Sequence, residues 1–141
     1  MVKYNKNFFK GNEILFVGYS SRNAVYCKGI LQAFNNSNIK VYPYNIKENA
    51  SFDTKVYKSL SELPVIPKEA FVLLNKNNTA KAVKELIENG VERILFYSKN
   101  TVDADTLEVC DKAEVETSVG CPMMVYGSGF HKLHAFFAGV K

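Results

Sequence analysis

The sequence has only three cysteines in 141 residues, Cys27, Cys110 and Cys121, an odd number with no CxxC pair. A disulfide framework or a zinc site needs cysteines in closer company, so neither is expected, and a reducing cytoplasm is the natural compartment. Long apolar runs are also missing. Charged or amide residues break each one before it reaches membrane-spanning length, so no membrane partner is expected. The first seven residues are basic, but only Phe8 and Phe9 follow before Lys10, too little for the apolar stretch of a signal peptide. There is no internal repeat, no low-complexity segment and no linker.

What is present describes one globular domain over residues 1–141. Hydrophobic residues make up 47% and charged residues 23%, a balance that supports a packed core and argues against disorder. The net charge of +4 is unevenly spread. Residues 1–60 carry 9 Lys and Arg against 3 Asp and Glu, whereas residues 61–141 carry 9 against 11. A small polyanion would therefore be drawn to the first half. The lysines are scattered and no arginine cluster occurs, so nucleic acid is not the expected partner. A solvated basic surface accounts for the same charge without any ligand.

Hydrophobic periodicity alternates between strand and helix. Glu13–Gly18 is a short apolar run of the kind buried on both faces of a sheet. Residues 24–36 place Cys27, Ile30, Leu31 and Phe34 at helical spacing. Ile39–Tyr42 follows as a strand that Pro43 should stop, and Lys55–Tyr57 as a short further strand. Ser59 to Leu63 predicts one capped turn before Pro64. Ala70–Leu74 is a strand, and residues 79–89 a helix with Ala80, Val83, Leu86 and Ile87 inward and Gly90 as its stop. Arg93–Tyr97 is the next strand. Residues 103–112 form a helix capped by Thr101 or Asp103, with Ala104, Leu107 and Cys110 inward. Weaker extended pieces fall at Val115–Val119 and Met123–Val125. Phe130, Leu133, Phe137 and Val140 then mark a C-terminal helix near 129–140, placed to cover the sheet or to join a twin subunit as a homodimer.

This alternation implies right-handed βαβ units and an α/β, Rossmann-like three-layer sandwich. Its mainly parallel sheet has five to six strands, with helices on both faces. Ligands in such sheets bind at the carboxyl ends of the strands, near the switch in strand order. The loops at residues 18–23, 43–47, 75–78, 98–101 and 120–122 are thereby selected.

The first of these loops reads Gly18-Tyr-Ser-Ser-Arg-Asn. Gly18 permits a tight turn and close approach of a ligand, and the following helix start suits a phosphate. Ser20, Ser21 and Asn23 add donors, and Arg22 adds a fork for phosphate oxygens. A capped helix start with no ligand fits the same residues. A dinucleotide fingerprint is absent: Gly18 has no glycine partner before Gly29, and the second strand ends Tyr42-Pro43-Tyr44-Asn45 with no carboxylate for a ribose. No Walker pattern occurs either.

Three further runs extend the pattern: Lys40-Val-Tyr42-Pro43-Tyr44-Asn45, Lys55-Val-Tyr57-Lys-Ser59-Leu60-Ser-Glu-Leu63-Pro64, and Ala82-Val83-Lys-Glu-Leu86-Ile87-Glu-Asn-Gly90-Val91. Together with Ile14 to Asn23 and the segment around Gly120-Cys121, they resemble the stand-alone CoA-binding domain family over about residues 13–126. Members of that family are similar to the nucleotide domain of the succinyl-CoA synthetase α subunit. The resemblance implies a Rossmann-like domain that holds coenzyme A, or an acyl-CoA, by its adenosine-phosphate end. Gly18, Ser20, Ser21 and Arg22 would line the diphosphate. Asn45 and Lys47 would lie beside the adenosine and its 3′-phosphate, and Asn75 and Lys76 beside the adenine. Where relatives have NP, an RPP-like loop and Asp-Arg before the cysteine, this chain has Asn45-Ile46, Asn75-Lys76-Asn77-Asn78 and Val119-Gly120.

Cys121 falls at a strand end in the proposed cleft, where its thiol could meet the pantetheine thiol; a small buried hydrophobe is the alternative. Cys27 and Cys110 fall on apolar helix faces. His131 and His134 share one side of the last helix, which suits packing or an oligomer contact better than a metal. No Ser–His–Asp set and no histidine occur in the cleft loops. A non-catalytic CoA-binding protein is the leading reading. The alternatives are a thiol-redox or acyl-carrying protein using Cys121, and a regulatory domain for NAD or another nucleotide.

Overall fold

The computed structural model describes residues 1–20, 24–45 and 55–123. Five parallel strands, β1 (Glu13–Val17), β2 (Lys40–Tyr44), β3 (Glu69–Val72), β4 (Arg93–Phe96) and β5 (Glu116–Val119), lie in the order β2-β1-β3-β4-β5. Three helices, α1 (Ala24–Asn36), α2 (Lys76–Glu88) and α3 (Ala104–Lys112), connect or follow them. The strand order reverses between β1 and β3, so the switch point lies at their carboxyl ends.

Alternation along the strands sorts side chains to two faces. Leu15, Ala70 and Ile94 share one register row and pack with Val83 and Leu86 of α2 and Cys110 of α3. The next row, Phe16, Phe71 and Leu95, points the other way, against Cys27, Ile30 and Phe34 of α1. Phe71 meets Phe16 edge to face at 5.1 Å between ring centroids and lies 6.5 Å from Phe34. Helices on both faces of a parallel sheet are the expected Rossmann-like arrangement.

Several local expectations change. Pro43 does not stop β2 but lies within it, paired in register with Phe16. β2 is an edge strand of the described sheet, and Pro43 turns its carbonyl outward to accept from the Tyr57 amide at 2.8 Å. Its missing N–H falls on the side where no neighbouring strand needs it. Lys55–Tyr57 forms no strand, only a single bridge from Tyr57 to Tyr44. Met123 has helical rather than extended backbone. The turn after Ser59 is a 3-10 turn with a full capping box from Ser59 and Glu62. α2 begins three residues earlier than its apolar pattern suggests, because Asn75 caps it, and its inward row is Thr79, Val83 and Leu86. α3 is capped by Asp103, and it buries Thr106 and Cys110 while Ala104 is exposed. The C-terminal helix expected near 129–140 lies outside the described residues, and so does the dimer contact read from it.

The polar lead-in is a larger departure. Tyr4, Phe8 and Phe9 are buried against the α1-side face, and residues 1–11 cross that face without forming helix or strand. Aromatic side chains thus link this segment to Phe34 and Phe71 at the centre of the layer.

Phe71 has no exposed surface and touches aromatic neighbours from both β1 and α1. Phe71→Ala should cost about 3–5 kcal/mol of stability. Urea unfolding followed by circular dichroism should show the midpoint falling at an unchanged slope.

Candidate functional site

The carboxyl ends of β1 and β3 are held closer than ordinary residues would allow. Gly18, immediately after β1, has φ +99°, and a Cβ there would collide with the Leu73 carbonyl oxygen and carbon after β3. Its amide donates to the Tyr44 carbonyl at 2.8 Å, while Leu73 donates to the Val17 carbonyl at 2.9 Å. The glycine is therefore needed for the turn and for backbone packing. The close approach expected from a ligand is made here by the protein's own β3 loop.

Beyond Gly18 the loop is braced from two sides. The Asn45 amide group donates to the Tyr19 carbonyl at 3.1 Å, and the Tyr19 ring is buried 5.3 Å from Phe16. A backbone hydrogen bond from Ser20 reaches the Cys27 thiol. Burial nevertheless dominates at Cys27 and pushes its thiol up. These contacts fix Tyr19 and Ser20 ahead of α1, whose first turn carries no acidic residue. The first amides of a helix have no intrahelical acceptor, so this end favours an anion.

Of the residues singled out in the sequence, Gly18, Ser20 and Asn45 come together at the end of β1 and β2. Asn75 and Lys76 lie across the switch point at the start of α2. Asn75 is occupied as the α2 cap, accepting from the Asn78 amide at 2.9 Å. Lys76 is near enough to Asp103 to help hold that carboxyl low, after the larger effect of its hydrogen bonds to Thr106. Ser21, Arg22 and Lys47 lie outside the described residues.

At the far side of the crevice, Cys121 is buried after β5 and its sulfur lies 2.9 Å from the Tyr26 hydroxyl of α1. Tyr26 also meets Tyr97, just after β4, edge to face at 5.7 Å. Burial, reinforced by hydrogen bonds to Cys121 and Tyr97, drives the Tyr26 hydroxyl far above its ordinary pKa. Tyr26 therefore stays protonated at neutral pH. The two tyrosines carried no sequence signal beyond their place near strand and helix ends, and their meeting with Cys121 depends on the fold. Cys110, deep in the opposite layer, is pushed up to about 11 by burial and is inert packing.

A second concavity of about 510 Å³ lies between residues 1–2 and the outer side of α3 and β5. Glu108, Asp111, Glu114 and Glu116 line it, the wrong sign for a phosphate ligand. Among the described residues, no group of three or more His, Cys, Asp and Glu could hold a metal ion, and no helix is long and apolar enough to cross a membrane.

A family model for a CoA binding domain matches residues 12–127, most of the chain. The chain belongs to the CoA-binding domain family. Among solved structures it is similar to a conserved hypothetical protein from Pyrococcus furiosus, with 25% identity, a TM-score of 0.65, and coverage of 78% of this chain and 94% of that one. A hypothetical protein from Pyrococcus horikoshii has 20% identity and a TM-score of 0.67, with 79% of each chain covered. A Thermus thermophilus protein has 13% identity and a TM-score of 0.67, covering 80% of this chain and 86% of that one. The last two show a shared fold alone. No functionally curated protein matches the sequence.

Gly18→Ala tests the β1–β3 junction. The substitution combines an unfavourable φ with a backbone collision, so it should cost roughly 2 kcal/mol or more. Thermal unfolding should shift down accordingly, and an unchanged midpoint would mean the two loops are not so tightly apposed.

Proposed function

We propose that this protein is a non-catalytic, cytosolic CoA or acyl-CoA binding module that grips the nucleotide diphosphate at the turn between β1 and α1. One observation carries the reading. A helix start with no acidic residue in its first turn lies against the β1–β3 switch point, in a chain of the CoA-binding domain family. Ser20, Ser21 and Arg22 would supply donors and charge to the diphosphate. Lys47 would meet the 3′-phosphate. Asn45 and Asn75 act one step back: their side chains hold the loop and the α2 cap, and so fix the walls of the adenosine side. Hydroxyls, amides and cations of this kind suit holding an anion.

Calorimetric titration with CoA, dephospho-CoA and NAD tests this directly. CoA should bind tightest, and Arg22→Ala should weaken it roughly tenfold or more. Lys47→Ala should erase the preference for CoA over dephospho-CoA. Tighter binding of NAD than of CoA would replace this reading with a regulatory dinucleotide domain.

A second reading is favoured by the contact between Cys121 and Tyr26. In thiol–disulfide exchange the Cys121 sulfur would attack the CoA sulfur of a CoA mixed disulfide, bond to it and release the other thiolate. Tyr26 would hold the sulfur in position. Intact-mass spectrometry after incubation with CoA disulfide should then show one added CoA, lost on dithiothreitol treatment and absent in Cys121→Ser. An unmodified wild-type mass leaves Cys121 as packing.

A further inference from the structure

We infer that residues 1–11 form a docked strap that controls access to the Cys121 thiol through the packing of Tyr4 on Gly120. The strap precedes the residues matched by the family model. It has no helix or strand of its own, and Met1, Val2, Lys3, Asn5, Lys6, Asn7 and Lys10 are all exposed. Side-chain burial of Tyr4, Phe8 and Phe9 and polar anchors hold it.

Polar anchors lie at both ends. At the start, the Val2 amide donates to the Thr117 carbonyl at 2.9 Å, and the Ser118 hydroxyl donates to the Val2 carbonyl at 2.6 Å. The strap thus pairs with the outer edge of β5. At the other end, the buried carboxylate of Glu69 accepts from the Lys10 amide at 2.7 Å and the Gly11 amide at 2.6 Å. Arg93 backs that carboxylate at 3.7 Å. Between these anchors, Phe8 and Phe9 pack together at 5.1 Å, and Phe9 reaches Phe34 at 5.9 Å.

Tyr4 connects the strap to the crevice. A Cβ on Gly120 would lie 2.5 Å from the Tyr4 ring, so the ring rests directly on the backbone that leads into Cys121. The next residue, Cys121, meets Tyr26 of α1. Cys121 is 7% exposed, with Tyr26 against its sulfur and the Tyr4 ring on the preceding Gly120. A segment with no helix or strand of its own can open locally without global unfolding, and such opening would lift the Tyr4 ring from Gly120 beside Cys121. Whether the site binds CoA does not enter this inference.

The test is the rate of iodoacetamide modification at each cysteine, resolved by peptide mass spectrometry on the full-length protein. Cys27 and Cys110, both fully buried in the core, report any general loosening. Tyr4→Ala should speed modification of Cys121 about tenfold or more while Cys27 and Cys110 stay protected. Gly120→Ala attacks the same contact from the other side and should act alike. Glu69→Gln, which keeps the side-chain shape but weakens the far anchor, should give a smaller rise at Cys121 alone and decides the matter where Tyr4→Ala does not fold. An unchanged rate at Cys121, or an equal rise at all three cysteines, overturns the proposal.

Discussion

Gly18 and the Leu73 carbonyl occupy space that any side chain would need, and the geometry of the crevice follows from that contact. It draws the ends of β1 and β3 together where the strand order reverses. The β1 loop must then turn sharply, and α1 begins beside the turn. Asn45 can consequently reach the Tyr19 carbonyl from β2. A bulkier residue at this position would separate the strands and misplace the helix start. The glycine acts on function through architecture, by setting where the positive end of α1 points.

Strand and helix order were legible in the sequence because each face of the sheet has its own apolar period. Glu13–Val17, Ala24–Asn36 and Arg93–Phe96 follow their hydrophobic pattern closely. What sequence reading missed depended on neighbours. Pro43 is tolerated because β2 is an edge, a property of strand order rather than of the proline. α2 starts at Lys76 because a polar cap, Asn75, extends it past the apolar stripe. Tyr4, Phe8 and Phe9 lack any regular spacing, so no periodicity marks them, yet they complete the α1-side layer.

The same distinction applies to the site. Polar residues in the cleft loops were identifiable by type and place, but not by task. Asn45 and Asn75 direct their side chains to the protein's own backbone. Lys76 lies by Asp103, so part of its charge is answered locally. On the proposed reading, meeting a ligand then falls to the hydroxyls and arginine after Gly18. Cys121 was visible as a strand-end thiol, whereas Tyr26 and Tyr97 came into view only once α1, β4 and β5 were placed together.

Charge also distinguishes the helix starts. Part of the acidic excess of residues 61–141 lies away from the β1–β3 switch point. Glu108, Asp111, Glu114 and Glu116 line a groove by α3 and the outer side of β5, and Glu69 is consumed in binding the Lys10 and Gly11 amides. α3 also carries its own acidic cap, Asp103, with Asp105 in its first turn. The first turn of α1 has neither. The two helix starts thereby differ: α3 carries acidic side chains at its positive end, and the first turn of α1 carries none.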